Sequence, residues 1–171
     1  MAENMLVIDD DKTVLASCRK IFMAEGFDVV TSEYPQEALK IAENMAFDVI
    51  LVDWKMPGWD GLDVVSELDR GSPDAALVMI SGYPTLERAT EAMKRGAMDY
   101  VAKPFTPEEI VQAVKKAVLH KVTMEKKTLG RLERVMRDWK FPTRPVEDSA
   151  PQTIAETLAS KVGVVKATSP W

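Results

Sequence analysis

Short apolar runs alternate with helix-like patterns along the first 120 residues of the chain. Five strands are predicted from these runs, at 5–8, 28–31, 48–52, 76–80 and 99–102. Strands that alternate with helices through short connections favour a parallel sheet covered by helices. The predicted fold class is therefore α/β, a doubly wound five-stranded parallel sheet with right-handed crossovers.

Helices are predicted where apolar residues recur at helical spacing between the strands. The predicted ranges are 12–25, 36–45, 61–69 and 85–95, with a fifth helix that begins near residue 107. Cys18 lies on the apolar stripe of the first helix, so we expect a buried thiol. Thr106, Pro107 and Glu109 form the pattern of a capping box at the start of the fifth helix. The apolar stripe of the fourth helix comprises Leu86, Ala89, Ala92 and Met93.

The helical pattern weakens after residue 120, and residues 121–140 are predicted as a helical extension of the domain 1–120. Two interpretations of this extension stay open: it folds back on its own domain, or it dimerises through an apolar seam. The seam would consist of Leu129, Leu132, Met136 and Trp139, at 3-4-3 spacing. Residues 141–171 begin with a proline-containing linker and are expected to end in a short, partly disordered tail.

The composition is typical of a globular protein, since 46% of the 171 residues are hydrophobic and 29% are charged. No apolar run approaches the roughly 20 residues that cross a bilayer, and no secretory signal is recognised. A single cysteine excludes an internal disulfide, so we expect a cytoplasmic protein without membrane insertion.

Charge is divided unevenly, because residues 1–119 carry a net charge of −9 and residues 120–171 carry +4. A basic tail can bind nucleic acid, but a solvated helix face explains it more simply, and no reading helix is recognised. Nucleic acid is therefore an unlikely partner in this interpretation, and a small DNA-binding regulator is kept as an alternative.

Charged residues follow three of the predicted strands. Asp9 and Asp10 follow the first strand, Asp53 follows the third, and Lys103 follows the fifth. The carboxyl ends of parallel strands converge on one crevice of an open α/β sheet. Three carboxylates and an ammonium group gathered there predict a pocket for a hard cation with a reactive aspartate, as in a phosphate-accepting switch.

Four motifs in order carry a resemblance to a known family. From Leu6 to about Leu119 the chain resembles the receiver domain of two-component response regulators. The motifs are Val7-Ile8-Asp9-Asp10-Asp11, Asp53-Trp54-Lys55-Met56-Pro57-Gly58-Trp59-Asp60-Gly61, Ile80-Ser81-Gly82-Tyr83 and Gly96-Ala97-Met98-Asp99-Tyr100-Val101-Ala102-Lys103-Pro104-Phe105. The resemblance implies a flavodoxin-like sheet with the strand order 2-1-3-4-5.

The resemblance also implies a role for each residue of the pocket. Asp53 would accept the phosphoryl group, and Lys103 and Ser81 would contact its oxygens. Mg²⁺ would be held by Asp9, Asp10, Asp53 and the backbone carbonyl of Lys55. A divalent ion suits this site physically, since neighbouring carboxylates repel one another and an incoming phosphoryl group. The Lys103–Pro104 peptide bond is expected to be cis.

Signal output is expected through a switch pair, Ser81 and Tyr100, and a surface formed by the fourth helix, fifth strand and fifth helix. Candidate surface residues are Arg88, Met93, Asp99, Val111 and Gln112. The expected phosphoryl donor is a histidine kinase, and the output is a downstream protein or self-association. His120, the only histidine, has no surrounding relay module, so we expect it to take no part in phosphotransfer.

The segment 82–105 most resembles receivers that precede an ATPase transcription activator of the nitrogen-regulator type. The chain has no GxxxxGK[ST] phosphate loop, so we expect a stand-alone receiver with a short extension rather than an enzyme with a separate substrate. An aspartyl phosphatase and a binding module that works without phosphorylation remain alternatives. Lys55 and Tyr83 flank the predicted path of a hydrolytic water, and their bulk predicts a long-lived phosphoryl state.

Overall fold

In this computed structural model the described residues are 3–138, with the side-chain environments of residues 3–134. The predicted linker and tail, 141–171, lie outside the described residues, as do Trp139 and the side chain of Met136 in the predicted seam. None of the helices in the described part combines the length and the apolar character that crossing a bilayer needs.

Five strands and five helices alternate along the described chain. The strands are β1 (Asn4–Ile8), β2 (Asp28–Ser32), β3 (Val49–Asp53), β4 (Ala76–Ser81) and β5 (Asp99–Ala102). The helices are α1 (Lys12–Ala24), α2 (Pro35–Asn44), α3 (Gly61–Gly71), α4 (Leu86–Lys94) and α5 (Pro107–Asp138). A short hairpin of two-residue strands, Lys55–Met56 and Trp59–Asp60, was not predicted.

All five strands run parallel in the order β2-β1-β3-β4-β5, so the predicted fold class and strand order are confirmed. The register pairs Asp53 with Ile80 and Ser81 with Ala102. Asp53 and Ser81 therefore end neighbouring strands at the same edge of the sheet.

Local signals in the sequence set where the helices begin and end. The capping box at α5 is present, since Glu109 N–H donates to Thr106 Oγ1 at 3.2 Å and Thr106 N–H donates to Glu109 Oε2 at 2.8 Å. Gly26 and Gly96 follow α1 and α4 with φ values of 94° and 109°, which glycine adopts without strain.

Two apolar layers enclose the sheet. Alternate residues of β1, β3 and β4 pack against α1 and α5 on one face and against α2, α3 and α4 on the other. Cys18 is fully buried in the α1 layer, as predicted, and burial raises the pKa of its thiol to about 12. Strands covered on both faces hold the residues at their carboxyl ends in fixed positions.

Helix α4 packs less deeply than its periodicity predicted. Ala92 is its only buried residue, while Leu86 is 81% exposed and Met93 is 46% exposed. The apolar stripe predicted for this helix is therefore wrong at Leu86 and Met93, because α4 enters the core only through Ala92.

Helix α5 continues without interruption past the sheet to Asp138, so residues 121–138 extend the same helix. Three of its apolar side chains are at least half exposed: Leu119, Met124 and Leu129. Within the domain, Lys121 Nζ donates a hydrogen bond to the Pro73 carbonyl oxygen.

Candidate functional site

Four strand ends bring the predicted pocket residues together. Asp9 follows β1, Asp53 ends β3, Ser81 ends β4 and Lys103 follows β5. The backbone hydrogen bonds of the sheet continue beyond the strands, since Asp9 N–H donates to the Ser32 carbonyl and Lys103 N–H donates to the Ser81 carbonyl. These bonds fix the backbone that carries the polar side chains.

Lys103 joins the two buried carboxylates of the site. Its Nζ lies 2.6 Å from Asp9 Oδ2 and 2.9 Å from Asp53 Oδ1. Asp9 has no exposed surface and Asp53 is 5% exposed, whereas Asp10 is exposed. Asp9 Oδ1 also accepts the Asp11 N–H at 2.9 Å, which orients the Asp9 carboxylate. A cation is therefore shared between two anions at the bottom of the pocket.

Burial changes the protonation of these groups. It raises the pKa values of Asp9 and Asp53, and the hydrogen bond from Lys103 reverses that shift only in part. Burial alone would lower the pKa of Lys103, but its hydrogen bonds to Asp9 and Asp53 raise that pKa overall. One ammonium group does not neutralise the carboxylates around it, so the pocket favours a further positive charge.

The donor set fits a hard divalent cation. One carboxylate oxygen each from Asp9, Asp10 and Asp53 lies within 4.8 Å of the others. Oxygen ligands of this kind suit Mg²⁺ and Ca²⁺, and an exposed Asp10 leaves the site open to water. Lys55, whose carbonyl the resemblance adds to the set, lies in the short hairpin two residues after Asp53. That carbonyl contribution stays a prediction.

The predicted switch pair lies beside the pocket. Ser81 is 1% exposed, and its Oγ accepts the Tyr83 N–H at 3.1 Å. Tyr100 is half-buried, and its hydroxyl is buried without a hydrogen-bond partner in the described part of the chain. The Tyr83 side chain is 72% exposed, so most of its ring lies in solvent rather than against the pocket. The Lys103–Pro104 bond is cis.

Two further features of the site were missed by the sequence analysis. Arg88 places its guanidinium carbon 5.2 Å from the ring centroid of Trp54, the residue after Asp53. Gly61 begins α3 so close to β3 that a Cβ there would lie 2.2 Å from the Asp53 carbonyl oxygen. Gly61 ends the motif that begins at Asp53, and its lack of a side chain could have indicated a close approach between two segments. No local sequence pattern pairs Arg88 with Trp54.

The fold and the pocket agree with the family that the sequence resembles. The sequence profile of the response regulator receiver domain matches residues 5–115. The chain belongs to this family. Receiver domains serve phosphorylation-type signalling in two-component systems.

Individual relatives agree with that assignment over the same part of the chain. The DNA-binding transcriptional regulator NtrC of Escherichia coli K12 is 31% identical over 114 residues. These cover 67% of this chain but only 24% of NtrC. The chain thus spans about a quarter of the length of this relative, and the similarity concerns the receiver domain.

Solved structures extend the likeness to the coordinates. A Burkholderia pseudomallei response regulator with a phosphorylated aspartic acid, a calcium ion and citrate is 29% identical, with a TM-score of 0.64. The match covers 79% of this chain and 82% of that one. The solution structure of the beryllofluoride-activated NtrC4 receiver domain dimer is 30% identical, with a TM-score of 0.66, and the match covers 69% and 98% of the two chains.

Proposed function

We propose that this chain takes a phosphoryl group from a histidine kinase onto Asp53 and passes the signal to a protein partner. One observation carries the proposal: Lys103 Nζ contacts both Asp9 and Asp53, and Asp10 completes a carboxylate triad around them. A phosphorylated aspartate together with a divalent ion in the B. pseudomallei regulator supports this use of the pocket.

Asp9, Asp10, Asp53 and the Lys55 carbonyl would hold Mg²⁺, in agreement with the oxygen donors present. When bound, the ion neutralises the carboxylates and the phosphoryl oxygens and so lowers the repulsion between them. Lys103 contributes a positive charge of its own, 2.9 Å from Asp53 Oδ1.

In the transfer, an Asp53 carboxylate oxygen forms a bond to phosphorus while the bond from phosphorus to the donor nitrogen breaks. Lys103 and the Ser81 hydroxyl would bind the phosphoryl oxygens and so provide the positioning and charge neutralisation that phosphoryl transfer requires. The reaction changes the protein itself, so the chain is not an enzyme with a separate substrate. We place it in the cytoplasm with its donor.

The donor needs a docking surface beside the mouth of the pocket. A groove of about 580 Å³ runs there between α1 and the start of α5, with Val14, Ile21 and Phe105 among its lining residues. The groove reaches Asp11, which directly follows Asp10 and donates its N–H to Asp9 Oδ1. We propose this groove as the contact surface of the kinase.

The output is proposed to leave through α4, β5 and α5, where α4 buries only Ala92. Met93 and Gln112 are exposed there, while Arg88, Asp99 and Val111 are half-buried. A downstream protein or a second copy would bind this surface. The dimer of the activated NtrC4 receiver domain supports self-association as one form of output.

The test is mass spectrometry after incubation with Mg²⁺ and acetyl phosphate. We expect one added phosphoryl group in the native chain and in Asp74→Ala, an exposed control, and none in Asp53→Ala. Sedimentation of both states then distinguishes self-association from a separate partner. A phosphoryl group that persists in Asp53→Ala, or none in the native chain, would overturn the proposal.

A further inference from the structure

Arg88 holds an unusual position for a cation near an acidic pocket. Its Nη1 donates to the Tyr83 carbonyl at 3.3 Å, and its guanidinium carbon lies 5.2 Å from the Trp54 ring centroid. Within residues 3–134 it forms no salt bridge, whereas Arg95, the residue after α4, pairs with Glu91 and Asp63. The charge of Arg88 is thus held by a carbonyl and an aromatic ring.

Both partners of Arg88 adjoin the phosphoacceptor pocket. Trp54 follows Asp53 directly, and its N–H donates to the Ile80 carbonyl at 2.8 Å. Tyr83 donates its own N–H to Ser81 Oγ at 3.1 Å. Arg88 therefore connects the segment after β3 with the loop after β4, and each segment begins at a residue of the pocket.

Trp54 also contacts Tyr100. The two rings meet edge to face, with centroids 6.3 Å apart and planes at 78°. The Tyr100 hydroxyl is buried without a hydrogen-bond partner in the described residues, which leaves the ring in an arrangement that a small shift can relieve. The ring pair is thus a responsive element next to a fixed pocket.

We propose that Arg88 is a positioning residue that couples the Ser81 hydroxyl to the Trp54–Tyr100 ring pair. In the described arrangement Ser81 Oγ accepts the Tyr83 N–H, and the loop holds the Tyr83 carbonyl against Arg88. When the Ser81 hydroxyl turns to a phosphoryl group on Asp53, Tyr83 loses this interaction. The loop then shifts, and Arg88 leaves the face of Trp54.

This inference rests on the proposed function, and it carries a thermodynamic consequence. If occupancy of the pocket weakens the contacts of Arg88, then weakening those contacts must strengthen occupancy of the pocket by the same factor. Removing the guanidinium should therefore raise the affinity for a phosphoryl mimic such as beryllofluoride, although Arg88 itself does not reach the pocket.

The experiment uses the full chain with Trp59, Trp139 and Trp171 changed to Phe, so that emission reports Trp54 alone. Beryllofluoride with Mg²⁺ is titrated into this background and into its Arg88→Met and Arg88→Lys variants. Arg95→Met is the matched control, since Arg95 directly follows α4 and, within the described residues, its side chain bonds only carboxylates. Thermal unfolding by circular dichroism verifies that each variant is folded.

We expect beryllofluoride to change the Trp54 emission of the background protein. Arg88→Met should show part of that change without ligand and bind beryllofluoride at least about three-fold more tightly. Arg88→Lys, which keeps a cation near the ring, should stay close to the background, as should Arg95→Met. An unchanged or lower affinity in Arg88→Met would overturn the inference, and so would an equal response of Arg95→Met.

Mass spectrometry on the same samples after acetyl phosphate separates the two proposals. Phosphorylation of the background protein without any change in Trp54 emission overturns the coupling role of Arg88 and leaves the proposed function intact. A background protein that takes up no phosphoryl group overturns the proposed function and this inference with it.

Discussion

Helices α1 and α4 flank the same pocket and are packed very differently. Helix α1 buries Leu15, Cys18 and Phe22 against the sheet, and Phe22 has no exposed surface. Helix α4 buries only Ala92 and leaves Leu86 in solvent. A shift of α1 would disturb three buried side chains, whereas a shift of α4 would disturb only one, that of Ala92. The domain therefore has a fixed side, formed by α1 with the adjoining Asp9 and Asp10, and a more shallowly packed side at α4.

The largest expected effect tests the fixed side directly. Phe22→Ala removes a fully buried ring from the α1 layer and should lower the free energy of unfolding by about 3–5 kcal/mol. Leu86→Ala on α4 should change it by less than about 0.5 kcal/mol, as at other exposed positions. Urea unfolding followed by circular dichroism measures both. Similar losses in the two variants would abolish the distinction between the helices.

A second substitution tests whether α3 also constrains the backbone at the pocket. In Gly61→Ala the new methyl group would meet the Asp53 carbonyl oxygen at 2.2 Å, so the backbone that carries Asp53 must move. We expect a loss of about 2 kcal/mol or more in the free energy of unfolding. Uptake of phosphoryl from acetyl phosphate should fall as well.

The matched control for this substitution is Gly71→Ala, at the other end of the same helix. A Cβ at Gly71 meets nothing within 4 Å. Its stability and phosphorylation should therefore equal or slightly exceed those of the native chain. Equal behaviour of the two alanine variants would show that α3 does not constrain the pocket.

Burial of the Asp9 carboxylate on the fixed side should also lower the stability of the metal-free protein. Burial raises the folded-state pKa of Asp9 above its unfolded value, so its ionised form destabilises the metal-free fold at neutral pH. Asp9→Asn should raise the free energy of unfolding without Mg²⁺ by about 1 kcal/mol. It should also weaken Mg²⁺ binding, measured by calorimetry, by about ten-fold or more.

The sign of this effect appears in the pH dependence. Because the pKa values of Asp9 and Asp53 are both raised, stability of the metal-free native chain should increase as pH falls through those raised values toward the usual range of a carboxyl group. The increase should be smaller in Asp9→Asn. Asp74→Asn, which alters an exposed carboxylate, should follow the native curve. A native stability that falls steadily from pH 7 would contradict the argument.

The smallest expected effect concerns the lifetime of the phosphoryl group, which depends on two residues that flank the pocket. Lys55 lies on the hairpin side of the pocket and Tyr83 on the α4 side. Exchange of Lys55 for Asn and Tyr83 for Glu should shorten the lifetime by about three-fold or more, as smaller or polar groups admit and orient water. Loss of phosphate followed by mass spectrometry measures it. Because the Tyr83 ring is largely in solvent, we expect Lys55→Asn to shorten the lifetime more than Tyr83→Glu does. An unchanged lifetime in the double variant would contradict the prediction.

Much of this molecule could be predicted from its sequence, and particular residues show why. Strand ends mark Asp9, Asp53 and Lys103 because parallel strands bring their carboxyl ends to one edge. Capping chemistry marks the start of α5 because it acts within four residues. The capping box is recognised from neighbouring residues alone. The strand ends are recognised in the same way, and the parallel sheet then implies that they lie close together.

The remaining features depend on depth and on contacts between distant segments. Periodicity identified a stripe on α4 but not how far it enters the core, so Leu86 was misplaced. The contact of Arg88 with Trp54 joins residues 34 positions apart through the fold. The short hairpin after Asp53 depends on only two pairs of residues, too few to form a detectable pattern.

The two edges of the sheet have a consequence for how the protein behaves in concentrated solution. Both edge strands, β2 and β5, are short, and each begins with an aspartate, Asp28 or Asp99. Lys116 lies 3.2 Å from the Asp99 carboxylate and adds a second charge at that edge. Pairing of two copies edge to edge would have to strip water from these charges, which is the protection that natural sheets use against aggregation. These charges therefore disfavour strand-to-strand pairing between crowded copies at the two edges of the sheet.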